Sequence, residues 1–238
     1  MSTPLIVAQC IILFAFFFRS LSGFGGALLS IPLLVIFFPL KFIVPMESVL
    51  EVALSAGLLP SVIRRVDKTE LRRLLPGVVI GSLLGVYFLG SVVDQHLKFM
   101  LGVVIIVVAL NMLRKTPRSV TALRRWGLSA GIVGGVLGGL FGTSGPAYVA
   151  YLSSQTLEKE VFRATLIFIF AVEYSWRLTL YAWQGLLGYD ELEFAFFLGP
   201  ALILSTILGN FSHIRISEHL FRRLVAILML VSGIICLL

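Results

Sequence analysis

The chain carries one glycine-broken apolar unit twice, and that duplication leaves few architectures open to it. Gly23-Phe24-Gly25-Gly26 interrupts one long apolar stretch, and Gly142-Thr143-Ser144-Gly145 interrupts another 119 residues later. Downstream, Pro76-Gly77 with Gly85 recurs as Pro200 with Gly209 at an offset of 124, and Leu97-Lys98-Phe99-Met100-Leu101 recurs as Leu220-Phe221-Arg222-Arg223-Leu224 at 123. An offset this steady over half the chain marks a repeated unit of about 120 residues. Two membrane halves built around glycine breaks are a recurrent plan of secondary transporters.

The membrane setting follows from composition. With 58% hydrophobic and 13% charged residues, the chain has about half the charge that a water-facing surface needs. The first apolar run has no basic residue before Arg19 and no small-residue cleavage site, so it is expected to remain as a span rather than leave as a signal peptide. Cys10 and Cys236 lie in apolar runs and are expected to be unpaired, buried thiols.

The net charge of +7 does not imply nucleic acid, because it is confined to short loops. Segments 64–73, 114–125 and 212–223 carry +3, +5 and +2, and segment 183–193 carries −3. Between the charged loops lie ten apolar segments, about 5–22, 23–40, 46–63, 74–93, 97–113, 126–141, 144–156, 164–182, 194–211 and 223–238. Placing the three basic loops in the cytoplasm puts the acidic loop and both termini outside. Five segments per half is an odd number, so the second half enters from the opposite side. The expected fold is therefore an all-α integral membrane protein of two inverted repeats, 1–113 and 126–238, joined by a basic cytoplasmic linker, 114–125. The pieces beside each glycine break fall short of the roughly 20 residues of a full span, so they are expected as re-entrant-like helix hairpins.

Irregular backbone is tolerated at membrane depth only where protein or a watery cavity satisfies it. Each glycine tip ends one helix and opens another, and the free amides of the second helix, with its dipole, form an anion site that needs no lysine. Candidate ligand contacts are Ser22, Gly23, Phe24, Gly25 and Gly26 at one tip and Gly142, Thr143, Ser144, Gly145 and Pro146 at the other. The competing role for such glycines is close helix packing, which suits Gly131, Gly134, Gly135, Gly138 and Gly139. The two tips occupy matching positions in the two halves, which favours ligand contact.

Four charged residues stand well inside apolar runs: Arg19, Glu51, Glu173 and Arg177. Glu173 and Arg177, at i and i+4, are expected to form a structural ion pair. Arg19 lies one turn before the first tip and serves either an anion or Glu51; Glu51 alone would be a proton carrier. Arg163 at the foot of segment 8 snorkels to the interface or joins the site. Asn111, Gln155 and Asn210 sit near segment ends, where amides are readily solvated.

Gly142-Thr143-Ser144-Gly145 also matches the GxSG pattern of rhomboid-type intramembrane serine proteases. A serine nucleophile needs a histidine base, yet His96, His213 and His219 all fall in expected loops, and the first tip has no hydroxyl at the serine position. No metal-ligand cluster and no phosphate-cradling GK[ST] loop is present in the sequence.

Taken in order, these motifs resemble the TauE/SafE sulfite exporter family of membrane transporters, also called the toluene sulfonate uptake permease family. In the first half the resemblance rests on Ser22-Gly23-Phe24-Gly25-Gly26 with Pro32-Leu33, on Arg64-Arg65-Val66-Asp67, and on Leu75-Pro76-Gly77 with Gly81-Ser82-Leu83-Leu84-Gly85. In the second it rests on Gly138-Gly139-Leu140-Phe141-Gly142-Thr143-Ser144-Gly145-Pro146, Tyr151-Leu152 and Phe162-Arg163-Ala164-Thr165. The resemblance implies a carrier of small anions such as sulfite, sulfoacetate or sulfonates in the bacterial inner membrane, with no bound cofactor and no enzymatic activity. A coupling ion, H⁺ or Na⁺, and a homodimeric assembly are left open. The family's second repeat often reads GxGGP, and here Ser144 replaces the middle glycine. On this reading the two tips approach each other near the midplane, with Arg19 or Arg163 beside the anion; the rival reading is an anion channel with the same donors.

Overall fold

A chain this apolar must satisfy its backbone internally, and helices do so within one segment. The computed structural model describes residues 2–22, 25–113, 126–155, 157–211 and 218–237. Among them are ten α-helices: α1 (Ser2–Ser22), α2 (Gly26–Leu34), α3 (Leu40–Val62), α4 (Lys68–Ser91), α5 (Asp94–Leu113), α6 (Gly127–Phe141), α7 (Gly145–Ser153), α8 (Lys159–Trp183), α9 (Tyr189–Phe211) and α10 (Glu218–Leu237). A single 3₁₀ turn, Ile63–Arg65, follows α3.

Each expected apolar segment is a helix, but the ends differ. Segment 23–40 contracts to the nine residues of α2, and α3 begins at Leu40 rather than 46. α4, α5 and α9 start inside stretches expected to be loops. Their first turns carry Glu70, Asp94 and Asp190 with Glu191, acidic residues that favour a helix N-terminus. His96 accordingly lies in the first turn of α5, exposed, rather than in a loop. His213 lies outside the described residues, as does the side chain of His219.

Four helical stretches are long and apolar enough to cross a membrane: Leu40–Arg65, Lys68–Ser91, Asp94–Leu113 and Tyr189–Gly209. Shorter apolar helices cover Pro4–Ser20, Gly127–Phe141 and Val225–Leu237. α8 has 25 residues, about 38 Å at 1.5 Å per residue, and is set apart by its internal charges. α2 and α7 have nine residues each, roughly 14 Å, and neither crosses a hydrocarbon core of about 30 Å alone. The chain is a multi-pass membrane protein.

Cys10 is exposed and Cys236 half-buried, both as free thiols. The expectation of burial fails because an apolar side chain on a membrane helix can face hydrocarbon as well as protein.

The chain divides into two compact units that each draw on both halves of the sequence. The first comprises residues 1–43, 92–118 and 196–238. Within it α1 turns into α2, and α5 packs along α10 with Gly102 facing Gly233. Asp94 accepts hydrogen bonds from the amides of Leu40 and Lys41 at 2.9 and 3.4 Å, which satisfies the start of α3. The second unit comprises 44–91 and 119–195. Its centre is the pairing of α4 with α6, where Gly77, Gly81 and Gly85 meet Gly131, Gly135 and Gly139. A Cβ on Gly135 would stand 2.6 Å from the Val78 carbonyl oxygen and 2.7 Å from the Ser82 nitrogen, so only glycine admits this approach.

Candidate functional site

The site in the second unit begins with a backbone break. Gly142 takes a left-handed conformation, φ 68°, and its N–H returns to the Gly138 carbonyl at 2.8 Å, which closes α6. Thr143 and Ser144 then bridge to α7, with Pro146 in its first turn. Proline has no N–H, and the Ala147 amide already donates to the Ser144 carbonyl at 3.2 Å. The amides of Ser144 and Gly145 therefore find no acceptor within α7 and stand at the positive end of its dipole.

α8 presents a charged pair to this break. Glu173 and Arg177 are fully buried, with Arg177 Nε 3.7 Å from Glu173 Oε1. Arg177 Nη1 donates to the Gly138 carbonyl, and the Tyr181 hydroxyl donates to the Gly139 carbonyl at 2.9 Å. The Tyr181 bond serves a carbonyl of the last turn of α6, Arg177 adds a second donor to one that already accepts the Gly142 N–H, and the guanidinium complements the negative end of that helix. Glu173 serves the opposite pole: the Ser144 hydroxyl donates to its Oε2 at 2.7 Å, at the N-terminus of α7. One helix thus supplies a cation to the C-terminus of α6 and a carboxylate to the N-terminus of α7.

α6 is shaped to admit the pair. Its Gly131, Gly135 and Gly139 face α4, as expected of packing glycines. Gly134 and Gly138 lie on another face, where Gly134 accommodates the Tyr148 ring. A Cβ on Gly138 would meet Arg177 Nη1 at 2.9 Å and Ser144 Cβ at 3.1 Å, with Glu173 Oε1 closer still. Gly138 makes room for charge rather than for a second helix.

Several buried donors and acceptors of this cluster have no hydrogen-bond partner among the described residues. They are Arg177 Nε and Nη2, Glu173 Oε1 and the Tyr148 hydroxyl. Tyr148 is buried beside the Glu173 carboxylate. The arrangement is a small, buried polar centre in which the Arg177 guanidinium keeps two nitrogens without a hydrogen bond among the described residues.

The structure thus brings together Gly142, Thr143, Ser144, Gly145, Glu173 and Arg177. The expected i, i+4 ion pair is present, and it is joined to the second tip. Arg163 is not part of this centre: it is exposed near the start of α8, ten residues or about 15 Å of helix before Glu173. Glu51 is buried on α3 in the same unit. At the first tip Gly25 has φ 95°, and Gly26 opens α2 as a buried residue. Gly23, Phe24 and the Ser22 side chain lie outside the described residues. Arg19 is buried on α1 with its guanidinium over the Phe16 ring, 5.5 Å from the centroid.

Sequence reasoning missed Tyr148, Tyr181 and Glu47. Tyr148 follows Ser144 by four residues and Tyr181 follows Arg177 by four, so one polar stripe down each helix was available as a signal. Glu47, buried at 1% exposure, precedes Glu51 by one turn and shares its face of α3. Glu70, placed by charge in a cytoplasmic loop, is buried in the first turn of α4, paired with Arg73 and accepting the Tyr151 hydroxyl at 2.6 Å.

A family model described as Sulfite exporter TauE/SafE matches residues 9–235, nearly the whole chain. The chain belongs to the TauE/SafE family. A relative from Cupriavidus necator, the "Probable sulfite/organosulfonate exporter TauE", is 27% identical over 214 residues, covering 87% of this chain and 83% of its own. A second, the "Probable inner membrane transporter protein TsaS" of Comamonas testosteroni, is 28% identical over 177 residues, covering 72% of each chain. No solved structure matches the chain. Membership of TauE/SafE makes the protein one of a family of membrane transporters and gives the buried centre of the second unit a context.

Proposed function

We propose that this protein is a secondary transporter that moves small sulfur oxyanions, sulfite or a sulfonate, across the bacterial inner membrane by alternating access, and that the break between α6 and α7 binds the anion. One observation carries the assignment: the first-turn amides of α7, for which that helix holds no acceptor, and a fully buried Arg177 with two nitrogens that make no hydrogen bond among the described residues lie at the same backbone break. Helix amides select an oxyanion by geometry and dipole, and a guanidinium edge matches two of its oxygens. The name of the Cupriavidus necator relative supplies the cargo class, sulfite or an organosulfonate, and that of the Comamonas testosteroni relative supplies the inner membrane.

The inverted repeat is supported by helix lengths. α2 and α7 have nine residues each, α5 and α10 have 20 each, α3 and α8 have 23 and 25, and α4 and α9 have 24 and 23. One glycine contact in each half is in keeping with it. α4 lies on α6 through glycines, and Gly209 of α9 lies against Ser20 of α1. With the basic loops in the cytoplasm, both termini face out.

The experiment is flux in proteoliposomes. Saturable uptake of sulfite or methanesulfonate that is accelerated by the same anion on the far side fits a carrier. Conductance rising linearly with anion concentration makes the protein a channel and removes alternating access. Arg177→Gln should abolish either; full flux in that variant would move the site elsewhere.

A further inference from the structure

We infer that Glu173 is the protein's own occupant of the anion site, and that each monovalent anion entering it drives one proton onto the Glu173 carboxylate; this rests on the α6–α7 break being the site. The first support is position. Glu173 Oε2 takes the Ser144 hydroxyl at 2.7 Å at the N-cap of α7, where an oxygen of a bound oxyanion would lie. The second is the state of the ion pair. Arg–carboxylate pairs frequently close as a two-bond fork. This one stands at 3.7 Å, beyond hydrogen-bond length, and leaves Arg177 Nε, Arg177 Nη2 and Glu173 Oε1 without a hydrogen bond among the described residues. The guanidinium is held by the Gly138 carbonyl instead and keeps an edge for another acceptor.

Charge counting then fixes the consequence. Arg177 and Glu173 together are neutral. A monoanion placed against Arg177 puts two negative groups on one buried cation, and like charges at such a site do not both stay ionised. A proton from the water on the open side converts Glu173 to the acid and restores neutrality, with Arg177 positive and the anion negative. The Ser144 hydroxyl is released from the carboxylate and turns to a substrate oxygen. Anion and proton are loaded together and leave together, so the carrier moves them in the same direction without net charge.

The groups around Glu173 leave it as the acceptor. On its own helix these are Arg177, Tyr174 and Tyr181, and on α7 it is Tyr148. α6 has no ionisable side chain. Glu70 and Arg73 of α4 are tied to each other and to Tyr151, and Arg65 of the 3₁₀ turn is tied to Glu160. α3 brings Glu47 and Glu51 into the same unit, and both enter the test.

Methanesulfonate is the probe, because its charge does not change with pH across the working range. Titration calorimetry on the full chain in detergent, repeated in buffers of different ionisation heat, counts protons taken up per anion bound. The expected count near neutrality is about one, with affinity falling up to about tenfold per pH unit on the alkaline side. Glu173→Gln should bind methanesulfonate with no proton uptake and with pH-independent affinity, equal to that of the wild type in acid. Binding without proton uptake in the wild type overturns the inference and leaves the anion site standing, and this measurement decides the matter if the variant does not fold. Proton uptake that persists in Glu173→Gln, or that disappears instead in Glu51→Gln or Glu47→Gln, also overturns it. Folded Glu173→Gln that no longer binds shows the carboxylate to be a positioning residue and overturns the inference. If neither methanesulfonate nor sulfite binds the wild type, the anion site itself is wrong and the inference falls with it.

Discussion

The two faces of α6 make opposite demands on its glycines, and alanine at each distinguishes them. At Gly135 a new Cβ would stand 2.6 Å from the Val78 oxygen and 2.7 Å from the Ser82 nitrogen, both backbone atoms of α4. Ordinary contact begins near 3.4 Å, so α4 and α6 must part by about 0.8 Å along a tightly packed seam. Overpacking of that kind costs about 3 kcal/mol, alanine's better helix propensity returns about 1, and the net of about 2 lowers the melting temperature by roughly 4–8 °C. At Gly138 the neighbours are side-chain rather than backbone atoms, the ends of Arg177 and Glu173 with the Ser144 Cβ at 3.1 Å, and side chains give way at less cost than a helix backbone. The propensity gain then nearly cancels the strain, and the melting temperature should stay within about 3 °C of wild type. The cost appears in binding, because the displaced guanidinium no longer faces the break. Methanesulfonate affinity should fall at least about tenfold, or about 1.4 kcal/mol. Size-exclusion of heated detergent samples gives the melting temperature, and calorimetry gives the affinity. A Gly138→Ala protein that binds normally would refute the placement of the site. A Gly135→Ala protein as stable as wild type would refute the packing argument.

Arg177→Ala leaves Glu173 buried without a counterion and should cost about 3–5 kcal/mol, while Glu173→Gln combined with Arg177→Gln recovers much of it; equal melting temperatures for wild type and Arg177→Ala would show that the pair carries no stability. Ser144→Val should abolish flux in a folded protein by filling the N-cap, whereas Ser144→Ala removes one charge-assisted bond and should cost about 2 kcal/mol of stability, read from the same melts. Gly25→Val meets open space but must adopt φ near 95°, so it should destabilise through the backbone, and normal melting there would show that the α1–α2 turn relaxes freely. Cysteines placed at Arg118 and Tyr189 should react with an impermeant reagent from opposite sides of the membrane, and same-side labelling would end the proposed topology.

The helices were legible because hydrophobic runs punctuated by charge and glycine are a local signal, and the ten apolar segments correspond to ten helices. Their ends were less legible, since acidic residues that look like loop in a hydropathy trace are good first turns, as at Glu70 and Asp94. Ser144, Glu173 and Arg177 were each readable as residues out of place in an apolar stretch. Their convergence was not, because 29 residues separate Ser144 from Glu173 and only the turn between α7 and α8 decides which faces meet. Gly138 shows the limit most clearly. In sequence it is one of five glycines on α6 that suggest packing, and spacing alone separates 131, 135 and 139 from 134 and 138 without saying what lies opposite each set. Only the fold puts helix backbone against the first set and a ring and an ion pair against the second. The GxGGP departure takes its meaning from the same geometry. A glycine at position 144 would offer an amide alone, whereas serine adds a hydroxyl that holds Glu173 at the helix start. That substitution ties a titratable carboxylate to the break between α6 and α7, so on the proposed function a change of one side chain at the tip is a change in what must move when the substrate arrives.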